Sequence, residues 1–171
     1  MLPKVSKILY ATDLSESAKS AFFWAMSLAE QYDASISIIH VIPDMVEIMS
    51  GSMGYDLSAH FDADQLATYN KDGHIAAMAS VEERVKSVYN EMKDELPSCR
   101  VDLHHVVVKS GDTVREIVAE SVSNNYDMVV MGSHGHGAIE GFLLGSVARG
   151  VVNKCAVPVL TIKLSDLHKT T

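Results

Sequence analysis

Apolar runs and amphipathic stretches alternate along the chain. Ile8–Ala11 is a short apolar run ended by Thr12-Asp13 and predicts a first strand. Ser15 and Ser17 are both suitable N-caps for a helix through Gln31, with Ala18, Ala21, Phe22, Ala25, Leu28 and Ala29 at helical spacing. Ile36–Ile42 predicts a second strand, which Pro43 closes. From Pro43 to Gly73 no period is sustained, and glycines, aspartates and methionines such as Met45 and Met49 mark an insertion at about 43–73. A stretch of that length without structure is uncommon inside a compact domain, which suggests a lid, a partner arm or a disordered excursion.

Periodicity returns with Ile75, Met78, Val81, Val85, Val88, Met92 and Leu96, a long amphipathic helix stopped before Pro97. Val101–Val108 predicts a third strand, and Thr113 with Glu116 forms a capping box for a helix that turns Val114, Ile117, Val118 and Val122 inward. Asp127–Met131 is a fourth, apolar strand. Beyond a glycine-rich loop, Ser146 is expected to cap a helix to about Lys154, and Val157–Ile162 is a fifth strand before a polar tail from Ser165. The order βαβαβαβαβ, with near-continuous apolar strands, implies an α/β fold whose parallel sheet is covered by helices on both faces. In such sheets ligands sit beyond the carboxyl ends of the strands, at the switch point in strand order. A flavodoxin-like order would separate the loops after the first and fourth strands, whereas 3-2-1-4-5 would make them neighbours; periodicity leaves that choice open.

Composition narrows the function. The 171 residues suit one domain with a proper core, spanning 1–171, and 47% hydrophobic with 21% charged residues is ordinary for a globular protein. No apolar run approaches the ~18–20 residues of a membrane helix, and the N-terminal apolar run is too short for a signal peptide, so a cytoplasmic location is expected. The net charge of −8 comes without any block of lysines or arginines, which argues against nucleic acid or an anionic membrane as partner. A small phosphate ligand stays open, because backbone amides at a helix start bind anions without side-chain charge. Cys99 and Cys155 show neither metal nor redox spacing.

The stretch from Gly132 to Val147 carries the candidate chemistry. Gly132, Gly135, Gly137, Gly141 and Gly145 follow a strand, permit positive φ and let a ligand approach the main chain; Gly145-Ser146 then leads into a helix whose first amides form an anion site. The stretch is neither a Walker A loop nor a GxGxxG turn in the Rossmann position. Of the histidines, His134 and His136 alternate in the loop and His104-His105 form a second pair, without a third ligand at metal spacing. His136 is the one the loop could bring to a phosphate, and His40, at a strand end, reads as core or hydrogen-bonded. Ser146 has no evident His/Asp pair to activate it, and Arg149, one turn further on, reads as part of a solvated face. The catalytic and metal-ligand sets are therefore empty.

Gly132-x2-Gly135-x9-Gly145-Ser146 resembles the ATP-binding signature of the universal stress protein family. The resemblance covers nearly the whole chain, through KILYATDLSESA, HVI, GDTVREIV, YDMVVMGSHG and VPVLTIK. It implies a Rossmann-like open five-stranded sheet of order 3-2-1-4-5, a homodimer paired through the C-terminal strand 157–162, and binding of ATP (or AMP or ADP). By position it puts Thr12 and Asp13 beside the adenosine and any phosphate-bound metal, and the Val41 backbone at the adenine edge. It places Met131 and Gly132 at the ribose, Gly135 at the ribose and phosphates, and Gly145, Ser146 and Val147 at the phosphates. Magnesium or manganese would be held through the phosphates. The insertion departs from the simplest family pattern and begins two residues after Val41. The implied function is a nucleotide-gated, dimeric stress-response regulator; a slow ATPase or a phosphoryl or adenylyl transferase is the alternative, although the HIGH-type motif of related nucleotidyl transferases is absent.

Overall fold

The computed structural model describes residues 4–43, 63–92, 100–135 and 144–163. Its strands are β1 (Lys7–Ala11), β2 (Ser35–Ile42), β3 (Arg100–Ser110), β4 (Met128–Gly132) and β5 (Val159–Ile162). The helices are α1 (Glu16–Tyr32), α2 (Ala63–Met92), α3 (Thr113–Ser123) and α4 (Ser146–Lys154). All pairings are parallel and the order is β3-β2-β1-β4-β5, so the open choice resolves to 3-2-1-4-5. The chain leaves β1 toward β2 and β3, then crosses back to β4 and β5. The switch point therefore falls between β1 and β4.

Two apolar layers cover the sheet because strand side chains alternate between faces. Ile8, Tyr10, Ile36, Ile38 and Val130 point to the side of α1 and α2, where Ala21, Phe22, Ala25, Met26, Val81, Val85 and Val88 bury them. Leu9, Ala11, Ile39, Val41, Val129 and Met131 face α3 and α4, meeting Ile117, Ala148 and Val151. Ser15 caps α1, its side chain accepting from the Ala18 amide, and Asp33 ends the helix in the left-handed region.

Several boundaries differ from the sequence expectation. Residues 63–73 of the expected insertion belong to α2, while 44–62 lie outside the described residues. This segment has helix formers but no apolar stripe, so periodicity passed over it; Gly73 sits within the helix in open space. A helix of 30 residues is about 45 Å long, against about 26 Å for the eight residues of β2. The helix outruns the strands, and Ile75 and Met78 are exposed rather than inward, the buried positions being Val81, Val85 and Val88. In α3 the cap is Asp112, not Thr113, and its carboxylate accepts from the Arg115 amide at 2.7 Å. Glu116 pairs with Lys109 and Arg115 instead of reaching back to a cap, and Val122 is exposed, with Glu120 and Ser121 buried in its stead. The α4 cap is Gly145 rather than Ser146. Leu96, the tail from Ser165 and Cys99 lie outside the described residues, and Cys155 is a free thiol.

Candidate functional site

β1 ends at Ala11, and the chain turns sharply into α1 through Thr12, Asp13 and Leu14. Leu14 is left-handed, at φ 66°. Side chains stabilise this turn from within: the Leu14 amide donates to Thr12 Oγ1 at 3.0 Å, and Ser15 donates its amide (3.0 Å) and hydroxyl (2.6 Å) to Asp13 Oδ1. With Oδ1 occupied by Ser15, the carboxylate is oriented so that Oδ2 lies toward Gly135. Ser15 thus both caps α1 and aims Asp13.

Across the switch point, β4 runs out through Gly132 into Ser133, His134 and Gly135. The Ser133 carbonyl accepts from the Gly145 amide at 2.8 Å, and the Ser133 amide donates to the Ile162 carbonyl at 2.7 Å. The glycine-rich loop is thereby closed at its base and fastened to β5. Helix α4 starts immediately after the closure. Gly145 brings no side-chain acceptor to its first turn, so the amides of Ser146, Val147 and Ala148 point toward the loop as an anion-binding end.

The glycines act here by clearance, not by positive φ. Among described glycines only Gly111 has a positive φ. A Cβ on Gly132 would lie 2.7 Å from Ser17 Oγ and 3.1 Å from the Ser17 backbone carbon, so its absence lets α1 start against β4. A Cβ on Gly135 would collide with Asp13 Oδ2. One on Gly145 would press on the Ser133 carbonyl at 3.3 Å.

β2 supplies the opposite wall. The Thr12 amide donates to the Ile39 carbonyl at 3.0 Å. Two residues further on, the Val41 backbone directs its N–H and C=O to the same edge, by the two-residue period of a strand. By then β1 has turned away into α1, so these groups face the opening between the strands. His40 holds the corner: its Nδ1 donates to the Thr12 carbonyl at 2.8 Å, in accord with the hydrogen-bonded reading of this residue.

These parts enclose a cavity of about 580 Å³ at the carboxyl ends of β1, β2 and β4. Thr12, Asp13, Val41, Met131, Gly132, Gly135, Gly145, Ser146 and Val147 all line it; His136 lies outside the described residues. Ile39, Val41 and Pro43 of the β2 side and Ile117 of α3 contribute apolar lining, and the loop after β4 and the start of α4 contribute Gly135, Gly145, Ser146 and Arg149. A lining that mixes apolar side chains with a helix start and an arginine suits a ligand with an apolar ring and an anionic group. Sequence reasoning did not assign Ile39, Thr113, Ile117, Ser133 or Leu144 to the site. Thr113 and Ile117 were findable, being four apart on a helix that starts at the same sheet end. Among the described lining residues Asp13 is the one carboxylate and Arg149 the one arginine or lysine. Among the described residues no group of three or more His, Cys, Asp or Glu could hold a metal ion.

Residues 4–163 match the model of the Universal stress protein family. The chain is 29% identical over 164 residues to universal stress protein MJ0577 of Methanocaldococcus jannaschii, covering 92% of this chain and 94% of the relative. The crystal structure of that protein superposes with a TM-score of 0.65 at 24% identity, covering 94% and 96% of the two chains. Universal stress protein UspA from Lactobacillus plantarum gives a TM-score of 0.70 at 20% identity, covering 93% and 98%. A universal stress protein crystallised in complex with cAMP gives 0.57 at 19% identity, covering 95% and 99%. Among the described residues no helix is long and apolar enough to cross a membrane.

Proposed function

The chain belongs to the universal stress protein family, and on that footing we propose that it is an ATP-binding member acting as a nucleotide-gated regulator. The gathering of nine residues that the family resemblance implies, from β1, β2, β4 and the start of α4, around one cavity at the switch point carries this reading. The Val41 N–H and C=O would pair with the adenine edge, between the apolar flanks of Ile39 and Ile117. Asp13 and Gly132 would meet the ribose, and the amides of Ser146 and Val147 the phosphates. A bound magnesium or manganese ion would neutralise phosphate charge beside Asp13. No side-chain hydrogen bond from a base to Ser146 is seen among the described residues, and His134, which lines the cavity beside Gly145, has its Nδ1 engaged with Ser133 Oγ at 2.9 Å; retention rather than turnover of the nucleotide is the proposed role. Pairing of two copies along β5 is part of the same reading: β5 lies at the sheet edge with all four residues partly exposed, and an edge strand offers unpaired backbone groups.

The test is to purify the protein without added nucleotide, denature it and chromatograph what is released. ATP is expected. ADP or AMP would favour hydrolysis, and a protein that releases nothing and binds no added adenine nucleotide would refute the reading. Because a relative of the same fold holds cAMP, the cyclic monophosphate belongs among the competitors. Light scattering on the same preparation should give twice the chain mass.

A further inference from the structure

Arg149 was read from sequence as part of a solvated face. It is exposed, yet it also lines the cavity, three residues beyond Ser146. Its amide donates to the Gly145 carbonyl at 3.0 Å, which sets it in the first turn of α4, three residues after Ser146. Residues three apart share a helix face, and helical side chains lean toward the N-terminus. The guanidinium is therefore carried toward the same opening that the Ser146 and Val147 amides face.

Its charge is also uncommitted among the described residues. Arg84 pairs with Glu16, Arg115 with Glu116, and Lys109 with Glu116 and Glu120. Arg149 makes no side-chain hydrogen bond or ion pair with any described residue. A chain of net charge −8, with the Asp13 carboxylate already in the cavity, needs positive charge to hold several phosphates. The helix end contributes only about half an elementary charge. A planar guanidinium, which binds phosphate oxygens through two parallel N–H groups, is suited to supply the remainder.

We infer that Arg149 clamps the terminal phosphates and so makes the site select a nucleoside triphosphate over a monophosphate or cyclic monophosphate. The inference rests on the nucleotide-binding reading above. An α-phosphate is served by the amides of Ser146 and Val147, while the β- and γ-phosphates extend past them to the side where Arg149 stands. A monophosphate ends before reaching it. Discrimination then comes from one flexible, solvent-facing cation rather than from the shape of the pocket.

The experiment is isothermal titration of nucleotide-stripped wild type, Arg149→Ala and Arg149→Lys with ATP, ADP, AMP and cAMP, with magnesium present. Arg149→Ala should bind ATP about tenfold more weakly, as for loss of a charge-assisted phosphate contact, with AMP and cAMP unchanged within about twofold. Arg149→Lys, which keeps the charge but not the fork, should fall between. Raising salt should weaken ATP binding more in wild type than in Arg149→Ala. Melting without nucleotide should be the same for all three proteins, since the side chain is exposed. Equal loss for AMP and ATP, or no loss for either, would overturn the inference while leaving nucleotide binding intact. Failure of wild type to bind any of the four would overturn the underlying reading with it.

Discussion

Replacing Gly135 with valine separates the site from the fold. Gly135 is exposed and its φ is not positive, so a side chain is tolerated by the backbone. Its Cβ nevertheless collides with Asp13 Oδ2, and Asp13 Cγ lies 3.5 Å away. The carboxylate must swing aside, loosening its two bonds to Ser15. That costs about 1 kcal/mol, as for partial loss of a solvated hydrogen-bonded pair, or roughly 2–4 °C in Tm for a chain of this size. Binding suffers more. The valine occupies ligand space and Asp13 is displaced, so two polar contacts to a charged ligand are lost at about 1.5–3 kcal/mol each. Their sum, about 3–6 kcal/mol, weakens affinity at least a hundredfold. Scanning fluorimetry with and without ATP reads both effects. At a hundredfold excess over Kd, ligand stabilises wild type by about 2.7 kcal/mol, a rise of roughly 5–11 °C. Gly135→Val should melt roughly 2–4 °C below ligand-free wild type and rise by no more than about 1–2 °C with ATP. A variant that still rises by the wild-type amount would refute the placement of the phosphates between Asp13 and Gly135. A variant that no longer melts cooperatively would refute the claim that Gly135 serves the site rather than the fold.

Gly132→Ala should do the reverse: its Cβ meets the backbone of Ser17 and Ala18 at 3.1 and 3.2 Å, which a rotamer change cannot relieve. Denaturant unfolding should show about 1–3 kcal/mol of lost stability, and wild-type stability would remove the α1–β4 contact from the account. Asp13→Asn keeps the acceptor for Ser15 but drops the charge. Ligand-free stability should change by less than about 1 kcal/mol, while the magnesium dependence of ATP affinity, titrated calorimetrically, should diminish; an unaltered dependence would remove Asp13 from the metal's neighbourhood. Burial pushes the Tyr10 phenol well above its ordinary range, and the hydroxyl donates to the Ala18 carbonyl at 2.7 Å. The unfolded chain releases this proton near pH 10 and the folded chain does not, so stability is complete below about pH 10 and falls as pH rises further. Tyr10→Phe should cost about 1 kcal/mol at neutral pH and flatten the decline between pH 10 and 11 in urea titrations. An identical slope would show that Tyr10 does not govern alkaline loss, leaving Tyr126, raised in the same sense by burial.

The central strands and α1 were legible because Ile8–Ala11 and Ile36–Ile42 are apolar on both faces and Ala18 through Ala29 keeps a clean helical stripe. Strand order was not, since non-local pairing leaves no mark on local periodicity; it came from resemblance. Caps went astray where two capping residues adjoin. In Gly111-Asp112-Thr113, the turn after β3, with Gly111 at φ 131°, delivers Asp112 rather than Thr113 to the helix start. The site glycines were found by spacing, but their physical reason differs from the one composition suggested. Sequence shows that a Cβ is absent, not which atom would have met it. Arg149 shows the same limit, because exposure and cavity lining are not exclusive for a long side chain at a pocket mouth.

The bare first turn of α4 ties secondary structure to occupancy. With Gly145 in place of a capping side chain, a seated anion would complete the helix, so part of its binding energy is the energy of fixing that turn. Amide exchange at Ser146, Val147 and Ala148 would then report ligand directly, rapid in the free protein and slow in the filled one. Because Gly145 also bonds Ser133, whose amide is tied to Ile162 of the edge strand, a tightened helix start pulls on β5 through two hydrogen bonds. An anion seated on that turn would therefore be expected to slow amide exchange along β5 as well as at the helix start.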